Sequence, residues 1–264
     1  MNNDSDEVLV TDDGPVRIVA LNRPASRNGL TIPVNARLIE AFQAAGDDDR
    51  VRAVLLTGRG GHFCSGLDLK AAMALVQQQG EMGDREEQMR TYFHGLIRAV
   101  RALDKPVVAL VDGPAVGFGC DLALACDIRL ATPGARLGEV FVRRGLMPDG
   151  GGTYMLPRLV GLGRALDLMM TGDVIDAREA ERIGLVSRIV QDEAEARSLV
   201  RRIAEGPPLV LREIKRAVYA ALSGNLDTAL EAEVAGQMRL LQTQDFVEGI
   251  TAFLLKRPPQ FKGR

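Results

Sequence analysis

Short apolar runs rich in β-branched residues alternate with a helical pattern in the first part of the chain. Val16–Leu21 and residues 51–57 are two such runs, each bounded by glycine or proline, and they predict buried strands. A helical pattern over residues 34–45 separates them. Val107–Val111 and Ile128–Ala131 predict two further strands. Alternating strands and helices of this kind predict an α/β fold.

From residue 192 onward the pattern becomes purely helical. Helices are predicted near residues 192–205, 208–222, 226–242 and 245–256, separated by short turn-forming segments. We therefore expect two regions, an α/β core over residues 1–191 and a helical C-terminal region over residues 192–264.

Composition narrows the classes of partner. Of the 264 residues, 46% are hydrophobic and 26% are charged, which is typical of a globular protein with a sizeable core. The net charge of −2 does not favour binding to nucleic acid or to an anionic membrane. The two histidines are far apart, and no cysteine or histidine spacing resembles a metal site.

The cysteines and the N-terminal segment indicate the compartment. Three cysteines form an odd and sparse set, which argues against a disulfide framework and for a reducing environment. The first ten residues are acidic and lack the features of a signal peptide, and no apolar run approaches the ~20 residues of a membrane span. The sequence therefore predicts a cytoplasmic protein without a membrane segment.

Two glycine-rich turns follow predicted strands, at residues 61–69 and 113–121. Glycine permits backbone conformations in which successive N–H groups point outward, and a helix starting near Gly119 would add its positive dipole end. Two such turns at neighbouring strand ends suit a developing enolate or tetrahedral oxyanion. The alternative interpretation is that these glycines only form tight turns, which are common. Neither turn matches a P-loop or a dinucleotide fingerprint, so a nucleotide cofactor is disfavoured.

Several segments, in this order along the chain, resemble the enoyl-CoA hydratase/isomerase (crotonase) superfamily over nearly the whole length. They are LNRP at 21–24 with NGL at 28–30, FCSGLDL at 63–69, KPVVALVDGPAVGFGCDLALACDIRLA at 105–131, GLMPDGGGTYMLPRLVG at 145–161, residues 177–190 and EGITAFLLKRPPQF at 248–261.

The resemblance implies a spiral of repeated ββα units with a helical C-terminal region that forms a homotrimer, often paired into a dimer of trimers. It also implies an acyl-CoA thioester as substrate, with no separate cofactor. The thioester carbonyl would lie between the backbone N–H groups of Leu67, which follows Gly66, and Phe118. The family often has glycine at position 118. Because only the N–H is needed, phenylalanine is tolerable there if its backbone angles allow.

The resemblance also assigns substrate contacts. Coenzyme A would lie against the loop at residues 25–29, the segment at residues 67–70 and, from a neighbouring subunit, the C-terminal end. The residues concerned are Ala25, Arg27, Gly66, Leu67, Asp68, Leu69, Lys70, Phe118, Phe141, Phe253 and Lys256. Arg27 and Lys256 suit phosphate groups, although a solvated surface charge is an equally good interpretation of either.

The carboxylates determine the expected reaction. Hydratases of this family use two glutamates, whose positions fall at Asp121 and at Phe141, and phenylalanine cannot transfer a proton. Members that shift double bonds often carry their acid/base at Asp149. The aryl-CoA dehalogenase branch has its nucleophilic aspartate there, an aromatic residue at position 141 and a histidine that aligns with His94.

Each of these residues also has a structural interpretation. Asp149 precedes three glycines, which suits a turn or a helix N-cap. Asp121 could cap or pair within the buried start of a helix, His94 is more often a packed or surface residue, and Cys64 and Cys120 are most simply small core residues.

We expect double-bond isomerisation with Asp149 as acid/base and Asp121 assisting or holding water. The alternatives are hydration by Asp121 and Asp149, displacement through an aspartyl ester on Asp149 assisted by His94, and a scaffold that binds acyl-CoA without turnover.

Overall fold

The computed structural model describes residues 6–71, 73 and 83–264. The strands are β1 Val8–Asp13, β2 Val16–Leu21, β3 Ala53–Gly58, β4 Val107–Val111, β5 Pro114–Val116, β6 Ile128–Ala131, β7 Arg136–Gly138, β8 Ile175–Asp176 and β9 Arg188–Ile189. The helices are α1 Ile32–Asp47, α2 Gly83–Gln88, α3 His94–Ala102, α4 Phe118–Ala125, α5 Gly152–Val160, α6 Leu162–Thr171, α7 Ala177–Arg182, α8 Glu193–Ala204, α9 Pro208–Ala221, α10 Leu226–Leu240 and α11 Gln244–Leu254.

The four predicted strands and the four predicted C-terminal helices are confirmed. Three strands keep their predicted bounds: Val16–Leu21, Val107–Val111 and Ile128–Ala131. The fourth, predicted at residues 51–57, forms over Ala53–Gly58. Pro15 O accepts hydrogen bonds from the N–H groups of residues 52 and 53, which ties the chain before β3 to the turn before β2.

A six-stranded sheet in the order β1-β2-β3-β4-β6-β9 forms the centre of the fold. β1 pairs antiparallel with β2, and the remaining neighbours pair in parallel, with Val19 opposite Leu56 and Leu55 opposite Val108. Every residue of β2, β3 and β4 is buried, because helices cover both faces, as is usual for parallel sheets.

Helix α8 covers one of these faces. Ala196, Leu199 and Val200 pack with strand residues such as Ile18 and Leu55 in one apolar cluster. The first helix beyond the predicted boundary at residue 191 therefore belongs to the packing of the central sheet. The boundary itself stays a prediction.

A smaller sheet in the order β5-β7-β8 lies beside the large one. Isolated bridges join Cys64 to Ala115 and Leu30 to Leu67, so the segment after β3 runs alongside β5. Strand pairs followed by a helix recur as β4-β5-α4 and β6-β7-α5, with a 3₁₀ turn before α5. This recurrence confirms the predicted ββα units.

Helices α9 to α11 carry many exposed large apolar side chains. These include Ile214, Val218, Leu226, Leu230, Val234, Met238, Val247, Ile250, Phe253 and Leu254. An apolar surface of this extent usually marks an interface. The predicted trimer would cover such a surface, and it remains a prediction.

The close approach of two backbone segments at Gly119 gives a test of the fold. A Cβ added to Gly119 would lie 2.3 Å from Cys64 O, an atom that also accepts the Val116 N–H hydrogen bond. We expect Gly119→Ala to lower the free energy of unfolding by about 1–3 kcal/mol, because the backbone must shift to relieve the overlap.

Chemical denaturation measures the effect. Gly163→Ala is the matched control, since nothing lies within 4 Å of its added Cβ and alanine is the better helix former. Equal stability changes in the two variants would contradict the close approach at Gly119.

Candidate active site

The two glycine-rich turns meet at Gly66. Its φ is +84°, and an added Cβ would lie 2.9 Å from Val116 O and 3.3 Å from Phe118 N. A side chain at position 66 would be strained and would also separate the two turns. Glycine therefore lets the segment at residues 65–68 pack directly on the start of α4, as the sequence predicts.

The N–H of Leu67 points away from the neighbouring chain segment. Leu30 N–H donates to Gly66 O at 2.8 Å, and Asp68 N–H donates to Leu30 O at 2.9 Å. Leu30 and Leu67 form an isolated parallel bridge, in which Leu30 pairs with the residues on either side of Leu67, so the Leu67 N–H faces away from Leu30. It has no hydrogen-bond acceptor among residues 6–71, 73 and 83–264.

Phe118 supplies the second free N–H. It is the first residue of α4, where an N–H has no acceptor within the helix and the helix dipole is positive. Its backbone adopts ordinary angles, since Arg27, Asn28 and Lys256 are the non-glycine residues with positive φ in the part of the chain that the structure describes. The backbone angles of Phe118 therefore allow phenylalanine at this position.

The Phe118 side chain is buried and packs edge to face on Phe93, with 5.2 Å between ring centroids. The rings of Phe118 and Phe93 help to line a small cavity of about 80 Å³. The other lining residues are Ser65, Gly66, Leu67, Leu69, Met89, Gly117, Val140, Phe141, Arg144, Leu146 and Asp149. Most of the wall is apolar.

Phe141 lies close to the free N–H groups. A Cβ added to Gly117 would lie 3.9 Å from two carbons of the Phe141 ring. Position 141, where the resemblance places the second glutamate of family hydratases, holds a buried apolar ring beside the cavity.

Asp149 lines the same cavity. Its Oδ1 is buried and has no hydrogen-bond partner within the described residues. Burial raises the pKa of this carboxyl, against the opposing influence of His94. Gly151, with φ of +90°, is the N-cap of α5 and no side chain caps this helix, so the interpretation of Asp149 as an N-cap is wrong.

Asp121 lies behind the loop that carries Asp149. It is fully buried on α4, and its Oδ2 accepts a hydrogen bond of 2.9 Å from Gly150 N–H. Burial raises the pKa of Asp121 to about 7, and the charge of Asp149 contributes in the same direction. Gly117, not Asp121, is the N-cap of α4. Asp121 is not among the residues that line the cavity.

Glu139 is a third buried carboxyl that the sequence interpretation missed. Its side chain is 1% exposed, and neither oxygen has a hydrogen-bond partner within the described residues. Burial, and then the charge of Asp121, raise the pKa of Glu139 well above its usual value. A signal was present, because Glu139 interrupts the apolar run from Leu137 to Val142.

His94 contacts the Asp149 loop through its ring. Nε2 lies 2.9 Å from the backbone oxygen of Asp149, at hydrogen-bond distance. The structure therefore brings together the histidine and the aspartate of the displacement hypothesis, but through the main chain of Asp149.

The predicted coenzyme A contacts lie on two neighbouring loops. Asn28 is buried and its side-chain amide donates to Arg59 O at 3.0 Å and to His62 O at 2.5 Å, which ties the first loop to the chain after β3. Arg23 forms an ion pair of 3.1 Å with Asp68 and links the first loop to the second. Exposed on these loops are Ala25, Arg27, Leu67, Leu69 and Lys70.

The remaining predicted contacts lie elsewhere. Phe253 on α11 and Lys256 just after it are exposed and do not line the cavity.

Cys64 and Cys120 are buried in the main core, as predicted. Across the described ranges, no group of three or more potential ligands could hold a metal ion. No described helix is long and apolar enough to cross a membrane.

Known proteins share both sequence and fold with this chain. The profile of the enoyl-CoA hydratase/isomerase family matches residues 12–264. The 1,2-epoxyphenylacetyl-CoA isomerase of Escherichia coli is 37% identical over 252 residues, which cover 94% of this chain and 95% of that protein. The crotonyl-CoA hydratase of Syntrophomonas wolfei is 36% identical over 260 residues, covering 97% and 98% of the two chains.

A solved structure of a family member has the same fold as this chain. The enoyl-CoA hydratase of Bacillus anthracis superposes with a TM-score of 0.92 at 32% identity, covering 98% of this chain and 100% of that one. The fold is therefore that of the crotonases. The chain belongs to the enoyl-CoA hydratase/isomerase family and is an enzyme that processes acyl-CoA thioesters.

Proposed function

We propose that the enzyme moves a carbon–carbon double bond along the acyl chain of an enoyl-CoA, with Asp149 as the acid/base. One observation carries this proposal: of the carboxylates that the structure describes, Asp149 alone lines the cavity formed by Leu67 and Phe118. Its Oδ1 has no hydrogen-bond partner within the same residues and is thus available to accept a proton.

The free N–H groups of Leu67 and Phe118 serve as an oxyanion hole. The thioester oxygen accepts hydrogen bonds from both, which stabilises the negative charge that develops when a proton leaves the carbon next to the carbonyl. The dipole of α4 adds to this stabilisation. Removal of a C2 proton from a 3-enoyl thioester forms a dienolate, and return of the proton to C4 places the double bond between C2 and C3.

A single carboxylate suffices for this transfer, because the proton leaves and returns without another reactant. Phe141 supports the assignment, since it places an apolar ring where family hydratases have their second glutamate. The apolar walls also keep the pKa of Asp149 raised, closer to the working range of an acid/base. The E. coli relative is named as an isomerase of 1,2-epoxyphenylacetyl-CoA, so one relative rearranges an acyl-CoA without adding water.

Hydration is the second candidate. It is favoured by the hydratases among the relatives, which include the 2,3-dehydroadipyl-CoA hydratase of E. coli at 35% identity. Asp121 and Asp149 would then replace the pair of glutamates. Against this, Asp121 is fully buried and does not line the cavity.

Displacement and pure binding are weaker candidates. Displacement needs Asp149 as nucleophile with His94 assisting, yet the His94 ring contacts the Asp149 main chain. A scaffold without turnover would leave a buried, unpartnered carboxyl oxygen at the cavity without a role.

The substrate's nucleotide end is expected on the exposed face of the two loops. Arg27 makes no ion pair within the described residues, and Lys70 is exposed beside it in the second loop, so both suit phosphate groups. Phe253 and Lys256 would contribute from a neighbouring subunit of the predicted trimer or dimer of trimers.

Replacing Asp149 tests the assignment. We expect Asp149→Asn to slow isomerisation of 3-enoyl-CoA roughly 10²- to 10⁴-fold, because the proton acceptor is lost, while acyl-CoA binding is retained. The measurement is a solvent-deuterium exchange and product assay on 2-enoyl-, 3-enoyl- and aryl-CoA thioesters, paired with binding of a non-reactive acyl-CoA.

Other results would assign other functions. Water addition to 2-enoyl substrates that survives Asp149→Asn and is lost in Asp121→Asn would transfer the chemistry to Asp121. Binding that Asp149→Asn leaves unchanged, with no turnover by the wild type on any thioester, would support the scaffold interpretation.

The pH dependence gives a second test. Asp149 must be ionised to accept the first proton, so kcat/KM for isomerisation should fall as pH decreases through its pKa. Because burial raises this pKa above the ordinary value of 3.8, the fall should begin at a higher pH than for a solvated aspartate. A pH–rate profile that stays flat down to pH 4 would contradict Asp149 as the base.

A further inference from the structure

Glu139 is buried next to the proposed acid/base without a visible means of neutralising its charge. Its side chain is 1% exposed, and both carboxyl oxygens lack hydrogen-bond partners within the described residues. A buried ionised carboxylate in this state would be strongly destabilising, so such groups are retained protonated or paired.

Asp121 presents a matching unpartnered oxygen. Its Oδ1 is buried and has no partner with hydrogen-bond geometry within the described residues, although the nearby Gly152 N–H lowers the pKa of this carboxyl. Its Oδ2 accepts the Gly150 N–H hydrogen bond. A Cβ added to Gly152 would lie 2.2 Å from Asp121 Oδ1 and 3.2 Å from Glu139 Oε1. The two unpartnered carboxyls therefore face the same point beside the first residue of α5.

The groups that act electrostatically on Glu139 do not supply a positive charge. They are the carboxylates of Asp121 and Asp149, which raise the pKa of Glu139, and the neutral Cys120 thiol, a weak hydrogen-bond donor that lowers it. No lysine or arginine within the described residues forms an ion pair with Glu139 or Asp121. Arg144 lines the cavity with Asp149, and His94 lowers the pKa of Asp149, but neither residue pairs with Asp121 or Glu139. Two neighbouring buried carboxyls without a cation do not both ionise near neutral pH, so one of Asp121 and Glu139 keeps its proton.

We propose that Glu139 is held as a carboxylic acid whose O–H donates a hydrogen bond to Asp121 Oδ1, and that it acts in this way as a positioning residue for Asp149. The inference rests on the proposed role of Asp149. The arrangement gives one Glu139 oxygen and Asp121 Oδ1 a partner at once, which two ionised carboxylates could not do.

The hydrogen bonds then form a short relay to the cavity. Glu139 O–H holds the Asp121 carboxylate, Asp121 Oδ2 holds Gly150 N–H, and Gly150 follows Asp149 directly. The proton on Glu139 also limits the negative charge behind Asp149. Glu139 is not among the residues that line the cavity, so its proposed effect on catalysis is through the position of the loop.

Two replacements of similar size separate the roles of hydrogen-bond donor and of charge. Glu139→Gln keeps a donor for Asp121 Oδ1 and never ionises, whereas Glu139→Met keeps the volume without a donor. We expect Glu139→Gln to retain kcat within roughly threefold and Glu139→Met to lose roughly 10- to 100-fold in kcat with little change in KM, because a small displacement of a catalytic group is costly.

Infrared spectroscopy tests the proton independently of activity. Because the pKa of Asp121 is about 7, Asp121 can contribute to the C=O band of a protonated carboxyl at neutral pH, and the assignment is made with Asp121→Asn as background. The full-length wild type, Asp149→Asn and Asp121→Asn should all show the band, and Glu139→Gln combined with Asp121→Asn should lack it. Because this readout needs no turnover, it stands even if isomerisation is not the reaction. It also stands if Glu139→Met fails to fold.

Three outcomes would overturn the proposal. The first is a wild type without the protonated band, and the second is a band that persists when Glu139→Gln is combined with Asp121→Asn. The third is a loss of kcat in Glu139→Gln as large as in Glu139→Met, which would show that the ionised form is required.

Discussion

The contact between the turn at Gly66 and the start of α4 is the constraint on which the site depends. With φ of +84° at Gly66 and only 3.3 Å from its missing Cβ to Phe118 N, two backbone segments far apart in sequence become adjacent. The Leu67 and Phe118 N–H groups lie on these segments without acceptors in the described residues. The bridge from Cys64 to Ala115 fixes their relative position, so the donors are preorganised by the sheet packing.

The site also depends on the unequal burial of three carboxyls. Asp149 reaches the cavity, Asp121 is fully buried and holds the adjacent loop through Gly150, and Glu139 is buried behind them. One group is thereby placed for proton transfer while the others are tied to the framework. Glycines at positions 150 and 152 permit this packing, because a Cβ at either would overlap the Asp121 side chain.

Much of the fold could be predicted from the sequence, because buried strands and amphipathic helices impose local patterns. Val107–Val111 and Ile128–Ala131 are correct to the residue, and the family resemblance supplied the arrangement of the repeats. The relation of Asp121 to Gly150 and the proximity of Glu139 to Asp121 could not be predicted, since both depend on contacts between segments that lie far apart along the chain. The resemblance to the family places the second hydratase glutamate at position 141, which holds Phe141, and it assigns no role to position 139.

The most direct test of the central claim follows the transferred hydrogen itself. A 3-enoyl-CoA carrying deuterium stereospecifically at C2 would be converted in ordinary water, and the product examined for deuterium at C4. One carboxylate beside an oxyanion hole predicts that part of the label reappears at C4 on the same face of the acyl chain. Delivery to the opposite face, when the C2 hydrogen that is removed carries the label, would contradict Asp149 as the single acid/base.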